Sequence, residues 1–305
     1  MPHVQANGVE LYYEDFGDPA DPAVLLVMGL GTQLIAWPDA FVERLVGAGY
    51  RVIRYDNRDI GQSTHLHGAR AISAVRAIVS ARFGWRIPVA YTLTDMATDA
   101  VALLDALGIA SAHVVGASMG GMIAQLIAAD HPGRVRSLVS IMSSSGARGL
   151  PDAAPAVQKL LIRRPPANPT RADVVRLGEE VQRAISYPDA TRAPGAFAEL
   201  AGRAYDRGFN ALGTRRQLLA ILADGSRVGR LARITAPTLI IHGRADPLVP
   251  FAHATDLVRR IPGARLEAIE HMAHDLPPSQ LARVGALIVA HLHAADALPQ
   301  PAAAA

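Results

Sequence analysis

Three residues far apart in the chain carry the chemistry this sequence is able to do. Ser118 lies in Gly116-Ala117-Ser118-Met119-Gly120-Gly121, Asp246 in Gly243-Arg244-Ala245-Asp246-Pro247, and His274 in Glu270-His271-Met272-Ala273-His274-Asp275. A serine hydroxyl is a weak nucleophile; it needs a base within hydrogen-bond reach and a third group that orients the base. Gly-x-Ser-x-Gly has a mechanical meaning when a β-branched run precedes it and a helix-forming run follows, and residues 113–129 have that make-up. The turn is so tight that side chains two positions either side of the serine would collide with the neighbouring strand and helix. Gly116 and Gly120 remove those side chains, and Gly121 helps further. Ser118 is then held out at the carboxyl edge of a sheet. The Met119 N–H points the same way, from the start of a helix whose dipole favours negative charge. Alone, the pentapeptide also fits a glycine-rich turn that binds nothing; its weight comes from the rest of the chain.

Composition narrows the chemistry. The 305 residues suffice for one large α/β domain with room for an inserted subdomain, and half of them are apolar. There is no cysteine, which excludes disulfides, thiolate metal sites and cysteine nucleophiles. The first residues lack the basic and apolar regions of a signal peptide. No stretch of the sequence is apolar enough to span a bilayer. With the absence of cysteine, these features point to the cytoplasm. Net charge is only +3 and Lys159 is the sole lysine. The arginines are scattered, with no run of five or more basic residues, which argues against nucleic-acid binding.

The elements that must position the three residues read as follows. Strands at 3–5 and 10–16 flank Asn7-Gly8, a strong hairpin signal. A doubly buried strand at 23–28 ends in Met28-Gly29-Leu30-Gly31-Thr32. Trp37-Pro38 opens a helix with Phe41, Val42, Leu45 and Val46 inward, and a strand follows at 51–56. Ile72, Val75, Ile78, Val79 and Phe83 recur at helical spacing. Their apolar face is expected either to cover the active site or to meet a second subunit in a homo-oligomer. Thr94-Asp95 cap a helix that runs through Leu107 and ends at Gly108. After the Ser118 strand and its helix, Pro132 stops the helix and a buried strand spans 135–142.

Residues 143–232 hold no convincing strand. Helical segments near 154–163, 171–186, 194–208 and 212–224 make them a helical insertion, and a lid is the natural reading. The strand–helix pattern resumes with strands at 236–242 and 264–269 and helices at 251–260 and 278–293. Alternation of strands and helices implies a mostly parallel sheet with crossovers. The expected organisation is an α/β core at 1–142 and 233–295, a helical cap at 143–232 and a frayed tail at 296–305.

In such a sheet the partners of Ser118 belong at the carboxyl ends of later strands. Asp246 lies in the loop directly beyond the strand ending at 242, and His274 beyond the strand ending at 269. His271 is the rival base, but Leu276-Pro277-Pro278 places the next helix start close behind His274. Asp275 is a rival acid, though a sequence neighbour rarely faces the histidine Nδ1. Ser143-Ser144-Ser145 offers no carboxylate after the preceding strand and reads as a hinge. An oxyanion hole needs two N–H donors: Met119 is one, and Leu30 is the expected second, with Gly31 the alternative. Met28, Gly29, Trp37 and Met142 are expected around the substrate pocket. Asp56 and Arg58 are expected to pin their loop. The pairs His65/His67, His271/His274 and His291/His293 lack a supporting carboxylate pattern and read as surface or structural histidines, so no metal is expected.

The order Ser118, Asp246, His274 is that of the α/β-hydrolases. Together with His271-Met-Ala-His274-Asp-Leu-Pro, these motifs make the chain resemble that superfamily over nearly its whole length. Leu25-Leu-Val-Met28-Gly-Leu, Trp37-Pro-Asp and Arg51-Val-Ile-Arg-Tyr-Asp56-Asn-Arg58-Asp-Ile-Gly61-Gln-Ser63 resemble the branch of anthracycline methylesterases (aclacinomycin methylesterase) and related bacterial carboxylesterases. Two departures stand out. Met28-Gly29 replaces the His-Gly of most relatives, and residues 66–91 form a longer connection. The resemblance implies hydrolysis of a small-molecule carboxylic ester through an acyl-enzyme, with no cofactor. An enol-lactone hydrolase and a cofactor-free perhydrolase keep the same triad and are the enzymatic alternatives. A non-catalytic ligand-binding member of the fold is the alternative of another class.

Overall fold

In the computed structural model the described residues are 2–68, 72–161, 163 and 169–298. The chain opens with β1 (His3–Ala6) and β2 (Val9–Phe16), an antiparallel pair turned by Asn7 and Gly8. Both turn residues take positive φ, +48° and +76°, as a two-residue hairpin turn matched to strand twist requires. There follow β3 (Ala23–Val27), α1 (Asp39–Val46), β4 (Arg51–Tyr55), α2 (Ala74–Phe83) and α3 (Leu93–Ala106). Next come β5 (Ala112–Ala117), α4 (Met119–Asp130) and β6 (Val135–Ile141). Between β6 and the next strand lie α5 (Pro155–Leu161), α6 (Arg171–Ile185), α7 (Ala196–Gly208), α8 (Ala211–Asp224) and α9 (Val228–Leu231). The chain then returns to the sheet through β7 (Thr238–Gly243), α10 (Ala252–Arg260), β8 (Arg265–Ile269) and α11 (Pro278–Asp296).

The eight strands form one sheet in the order β1-β2-β4-β3-β5-β6-β7-β8. β2 runs antiparallel to β1 and β4, and every pairing from β4 to β8 is parallel. The central strands β3, β5 and β7 are buried at every position; β3 is accordingly an unbroken apolar run, while β5 and β7 bury His113 and His242 among apolar residues. Alternate residues feed two cores. Leu25 and Val27 of β3 join Met96 and Leu103 of α3 and Ile123 and Leu126 of α4 on one face. Val24 and Leu26 join Phe41 and Leu45 of α1 and Val284 and Ile288 of α11 on the other.

Several elements differ from the sequence expectation. The cap of α3 is Thr92, two residues early; its hydroxyl accepts the Asp95 N–H, and the Asp95 carboxylate takes the Thr92 N–H in return. α11 continues to Asp296, whose carboxylate ties down Tyr50, His113 and Arg136. The expected tail thus begins inside a helix, and its residues 299–305 lie outside the described residues. α2 forms as expected, and its apolar face turns outward, the second of the two orientations expected for it. It packs the small residues Ala77 and Ser80 inward and leaves Val75, Ile78, Val79 and Phe83 exposed.

Candidate active site

β5 delivers Ser118 to the carboxyl edge of the sheet, and α4 starts at the next residue. Ser118 takes φ +55° and ψ −119°, a conformation that costs a non-glycine residue on the order of 1–3 kcal/mol. Surrounding structure holds it there. The Ser118 N–H donates to the Ile141 carbonyl at 2.9 Å, and the Ser143 hydroxyl donates to the Ser118 carbonyl at 2.8 Å. The glycine spacing is explained by contact. A Cβ on Gly116 would stand 2.2 Å from the Gly120 carbonyl oxygen, and one on Gly120 would stand 2.0 Å from that of Val27. The helix start therefore wedges against β5 on one side and β3 on the other, and no side chain fits.

The loops after β7 and β8 meet beside Ser118. Gly243 permits this, since a Cβ there would stand 2.2 Å from the Met272 carbonyl oxygen. His274 Nε2 lies 2.9 Å from Ser118 Oγ, and His274 Nδ1 lies 2.8 Å from Asp246 Oδ2. Asp246 Oδ1 accepts the Leu248 and Val249 N–H groups at 2.9 and 2.8 Å, leaving Oδ2 for the imidazole. Burial pushes the Asp246 carboxyl up, but electrostatic attraction to His274 and the hydrogen bonds from His242 and His274 outweigh it and hold it at about 2. An ionised carboxylate only accepts. Nδ1 of His274 therefore carries the proton, and Nε2 is free to accept from the Ser118 hydroxyl.

The rivals go elsewhere. His271 Nδ1 pairs with the Tyr187 hydroxyl at 2.9 Å. Asp275 accepts from Arg192 at 2.5 Å and from the Tyr187 N–H at 3.1 Å. With the His274 N–H donating to the Ile185 carbonyl at 2.9 Å, these bonds fix the histidine loop to the α6–α7 connection. Ser143–Ser145 is buried and anchored, with Ser144 bonding His253 and Ser145 donating to Asp256. Asp56 and Arg58 pin their loop: Asp56 takes the Leu34 and Gln62 N–H groups, and Arg58 pairs with Asp99 at 2.5 Å.

Beside the hydroxyl, Gly29 presents its backbone to Ser118; a Cβ there would stand 3.2 Å from Ser118 Cβ. The Gly31 N–H donates to Gln217 Oε1 at 2.9 Å, so it is already committed, and Leu30 keeps its place as the second expected oxyanion donor beside Met119. The expected pocket residues need correction. Trp37 is fully buried, stacks on Phe41 at 5.4 Å and belongs to the α1–α11 core. Met28 and Met142 pack in that same core. Apolar residues beside a catalytic loop face inward as readily as toward a pocket, and helical or strand spacing does not distinguish the two. The cavity instead lies between the 30–36 loop and α6, α7 and the start of α8. Its volume is about 440 Å³, and Leu30, Gly31, Ile35, Val181, Leu200 and Tyr205 are among its walls, so it shares Leu30 with the expected oxyanion loop.

Sequence reasoning missed three contributors. His242, the penultimate residue of β7, has Nε2 3.3 Å from Asp246 Oδ2 and 2.7 Å from the Val249 carbonyl oxygen. A histidine four residues before the expected acid was the available signal. Gly243 was legible as a glycine beside a loop crossing. Gln217, which also donates to the Arg58 carbonyl at 3.0 Å, carried no local signal because its partners lie more than 150 positions away.

Taken together, an eight-stranded, mostly parallel sheet with serine, acid and histidine in the loops after β5, β7 and β8 defines an α/β hydrolase. The chain belongs to the α/β hydrolase fold family, whose model matches residues 22–278. It is 35% identical to rhodomycin D methylesterase DauP of Streptomyces sp. (strain C5), with 96% of this chain and 98% of that protein covered. It is also 35% identical to rhodomycin D methylesterase DnrP of Streptomyces peucetius, over 94% and 96% of the two chains. Among solved structures, the enol-lactonase from Burkholderia xenovorans LB400 superposes with a TM-score of 0.73 at 22% identity, covering 96% of this chain and all of that one. At that identity the likeness speaks for the fold alone.

Proposed function

We propose that this protein hydrolyses carboxylic esters through an acyl-serine intermediate, with Ser118 as nucleophile, His274 as base and Asp246 as the group that orients it. The observation that carries this reading is the unbroken hydrogen-bond chain from Ser118 Oγ through His274 to Asp246. As His274 Nε2 takes the hydroxyl proton, Ser118 Oγ bonds to the ester carbonyl carbon. The Leu30 and Met119 N–H groups hold the resulting oxyanion, and Asp246 stabilises the imidazolium. When the tetrahedral intermediate collapses, the C–O bond to the alcohol breaks and the imidazolium returns its proton to the leaving oxygen. A water molecule, deprotonated by His274, then attacks the acyl carbon and releases acid and free Ser118. Every proton passes through Nε2.

Residues 143–232 act as a cap on a core of 1–142 and 233–295, and the cavity beneath α6 and α7 takes the bulky apolar part of the ester. Likeness to two methylesterases supports a substrate with a large acyl portion and a methyl leaving group. The absence of cysteine supports a cytoplasmic setting. The test is hydrolysis of p-nitrophenyl acetate, butyrate and octanoate by the wild-type chain and by Ser118→Ala. Turnover of at least one ester by the wild type, lost in the variant, is expected. No turnover at any chain length would sink the esterase reading.

A further inference from the structure

α2 is built inside out. Ala77 is fully buried against Leu219 of α8 and Ile87, so the small residues make the contact with the protein. The large ones face away: Val75 is 55% exposed, Phe83 67% and Trp85 61%, with Ile78 and Val79 between them. Gly84, at φ +71°, ends the helix, and the chain turns back so that Trp85 stacks on Phe83 at 5.1 Å. An exposed apolar face of this extent calls for a partner.

Charge says which partner. Between positions 60 and 94 the sequence holds four arginines, Arg70, Arg76, Arg82 and Arg86, and no Asp or Glu. Arg76, Arg82 and Arg86 are exposed, and the exposed Arg148 reaches Gly84 from the loop after β6. A second copy would set this face against itself, arginine opposite arginine, which an isologous interface disfavours. A helix with an aliphatic face, a terminal aromatic pair and only positive charge matches an anionic bilayer surface. Arginine stems run along the apolar layer while their heads meet phosphates, and Trp sits at the headgroup level.

We propose that α2 with Trp85 docks this protein onto anionic phospholipid membrane surfaces, lying in the interface without spanning it. The proposal stands independently of the ester chemistry. The chain has two tryptophans, and Trp37 is fully buried, so a blue shift of emission on vesicle binding reports on Trp85.

The test is co-sedimentation and fluorescence of the full chain with phosphatidylglycerol and with phosphatidylcholine vesicles. Binding with a blue shift is expected on phosphatidylglycerol only, weakening in 0.5 M salt. Each arginine near an anionic surface strengthens binding about fivefold, so Arg76→Gln/Arg82→Gln is expected to weaken it about 25-fold. Phe83→Ser/Trp85→Ser is expected to abolish sedimentation while leaving the melting temperature unchanged, since both side chains are exposed. Failure of the wild type to bind phosphatidylglycerol at low salt overturns the proposal, as does binding indifferent to both double variants. A wild-type dimer that Phe83→Ser/Trp85→Ser converts to a monomer assigns the face to a second copy and overturns it too.

Discussion

Among the described residues there are two Ser–His–Asp chains, and one of them is placed to do chemistry. The first is Ser118–His274–Asp246. The second is Ser137–His113–Asp296: His113 Nδ1 lies 2.8 Å from Ser137 Oγ, and its Nε2 lies 3.1 Å from Asp296 Oδ1. In both, an ionised carboxylate makes the near nitrogen a donor and leaves the far nitrogen to accept from the serine hydroxyl. The hydrogen-bond pattern therefore does not separate them. Position does. Ser137 and His113 are register partners near the amino ends of β6 and β5, about 16 Å of strand away from the elbow. Ser137 is fully buried in an ordinary strand, whereas Ser118 is partly exposed on a strained turn at the start of α4. Asp296 is shared with Arg136 at 2.5 Å and with the Tyr50 hydroxyl at 3.0 Å, so its charge serves several partners. Burial pulls the His113 imidazole down to about 4, which makes it a poor base. A nucleophile thus needs access, oxyanion donors and a histidine that burial has not weakened as a base.

The largest expected effect breaks the comparison outright. Ser118→Ala is expected to lower kcat by about 10⁴-fold or more, whereas Ser137→Ala leaves it within about twofold. A fluorophosphonate followed by peptide mass spectrometry should label Ser118 alone. A label on Ser137, or an active Ser118→Ala, would show that the wrong chain has been assigned. Next come the carboxylates. Asp246→Asn should cost about 10³–10⁴ in kcat, because the amide favours the wrong histidine tautomer. Asp296→Asn should spare kcat and lower stability by about 1–3 kcal/mol, as Arg136 and Tyr50 lose a charged acceptor. If both substitutions moved kcat alike, the distinction between the two chains would fail. Gln217→Ala sharpens the picture on a smaller scale. Freeing the Gly31 N–H loosens the loop that carries Leu30, and about a tenfold fall in kcat with little change in KM is expected, less than the loss of an oxyanion donor itself. An unchanged kcat would mean that the Leu30 loop holds its shape without α8.

The same contrast explains what the sequence could reveal. The elbow was legible because its demands are local: Gly116 and Gly120 are two positions from Ser118, and their clashes follow from turn geometry. The strand-end placement of Asp246 and His274 was legible because parallel-sheet topology orders the loops. The second chain was invisible, since Asp296 lies 183 positions from His113 and Ser137 sits within an apolar strand run. Trp37, Met28 and Met142 were misread as pocket residues for a related reason. Apolar spacing marks a buried face and does not say what it is buried against. For α2 the periodicity was right, but which face turned inward depended on small residues fitting against α8.

Acid stability separates the two chains in pH as well as in space. His113 has its pKa lowered by burial from the usual 6.5 to about 4, partly offset by Asp296, so the folded protein binds its proton later than the unfolded chain does. The unfolded state then holds more protons between pH 6.5 and 4, and stability rises with pH across that window. The contribution is fully present above 6.5 and is lost as pH falls through 4. It is of order 3 kcal/mol at most, since one pKa unit is about 1.4 kcal/mol. Asp246, held at about 2 against the usual 3.8, works lower: its contribution is present above 3.8 and is lost as pH falls through 2. His291, also lowered to about 4 by burial and by Arg265, adds a slope of the same sign in the His113 window. Melting temperature is therefore expected to drop by several degrees between pH 7 and pH 4.5. In His113→Gln the drop should be roughly halved, because His291 remains, and kcat at pH 7.5 should be unchanged. Groups remote from His113 are common to the two proteins and cancel in the difference, and Asp296, which touches His113, is itself held below the usual carboxylate range and so titrates beneath this window. A His113→Gln variant that melts with the wild-type pH slope would mean that burial does not lower the His113 pKa. Lack of access and of oxyanion donors would then be what keeps the second chain from chemistry, not a weakened base.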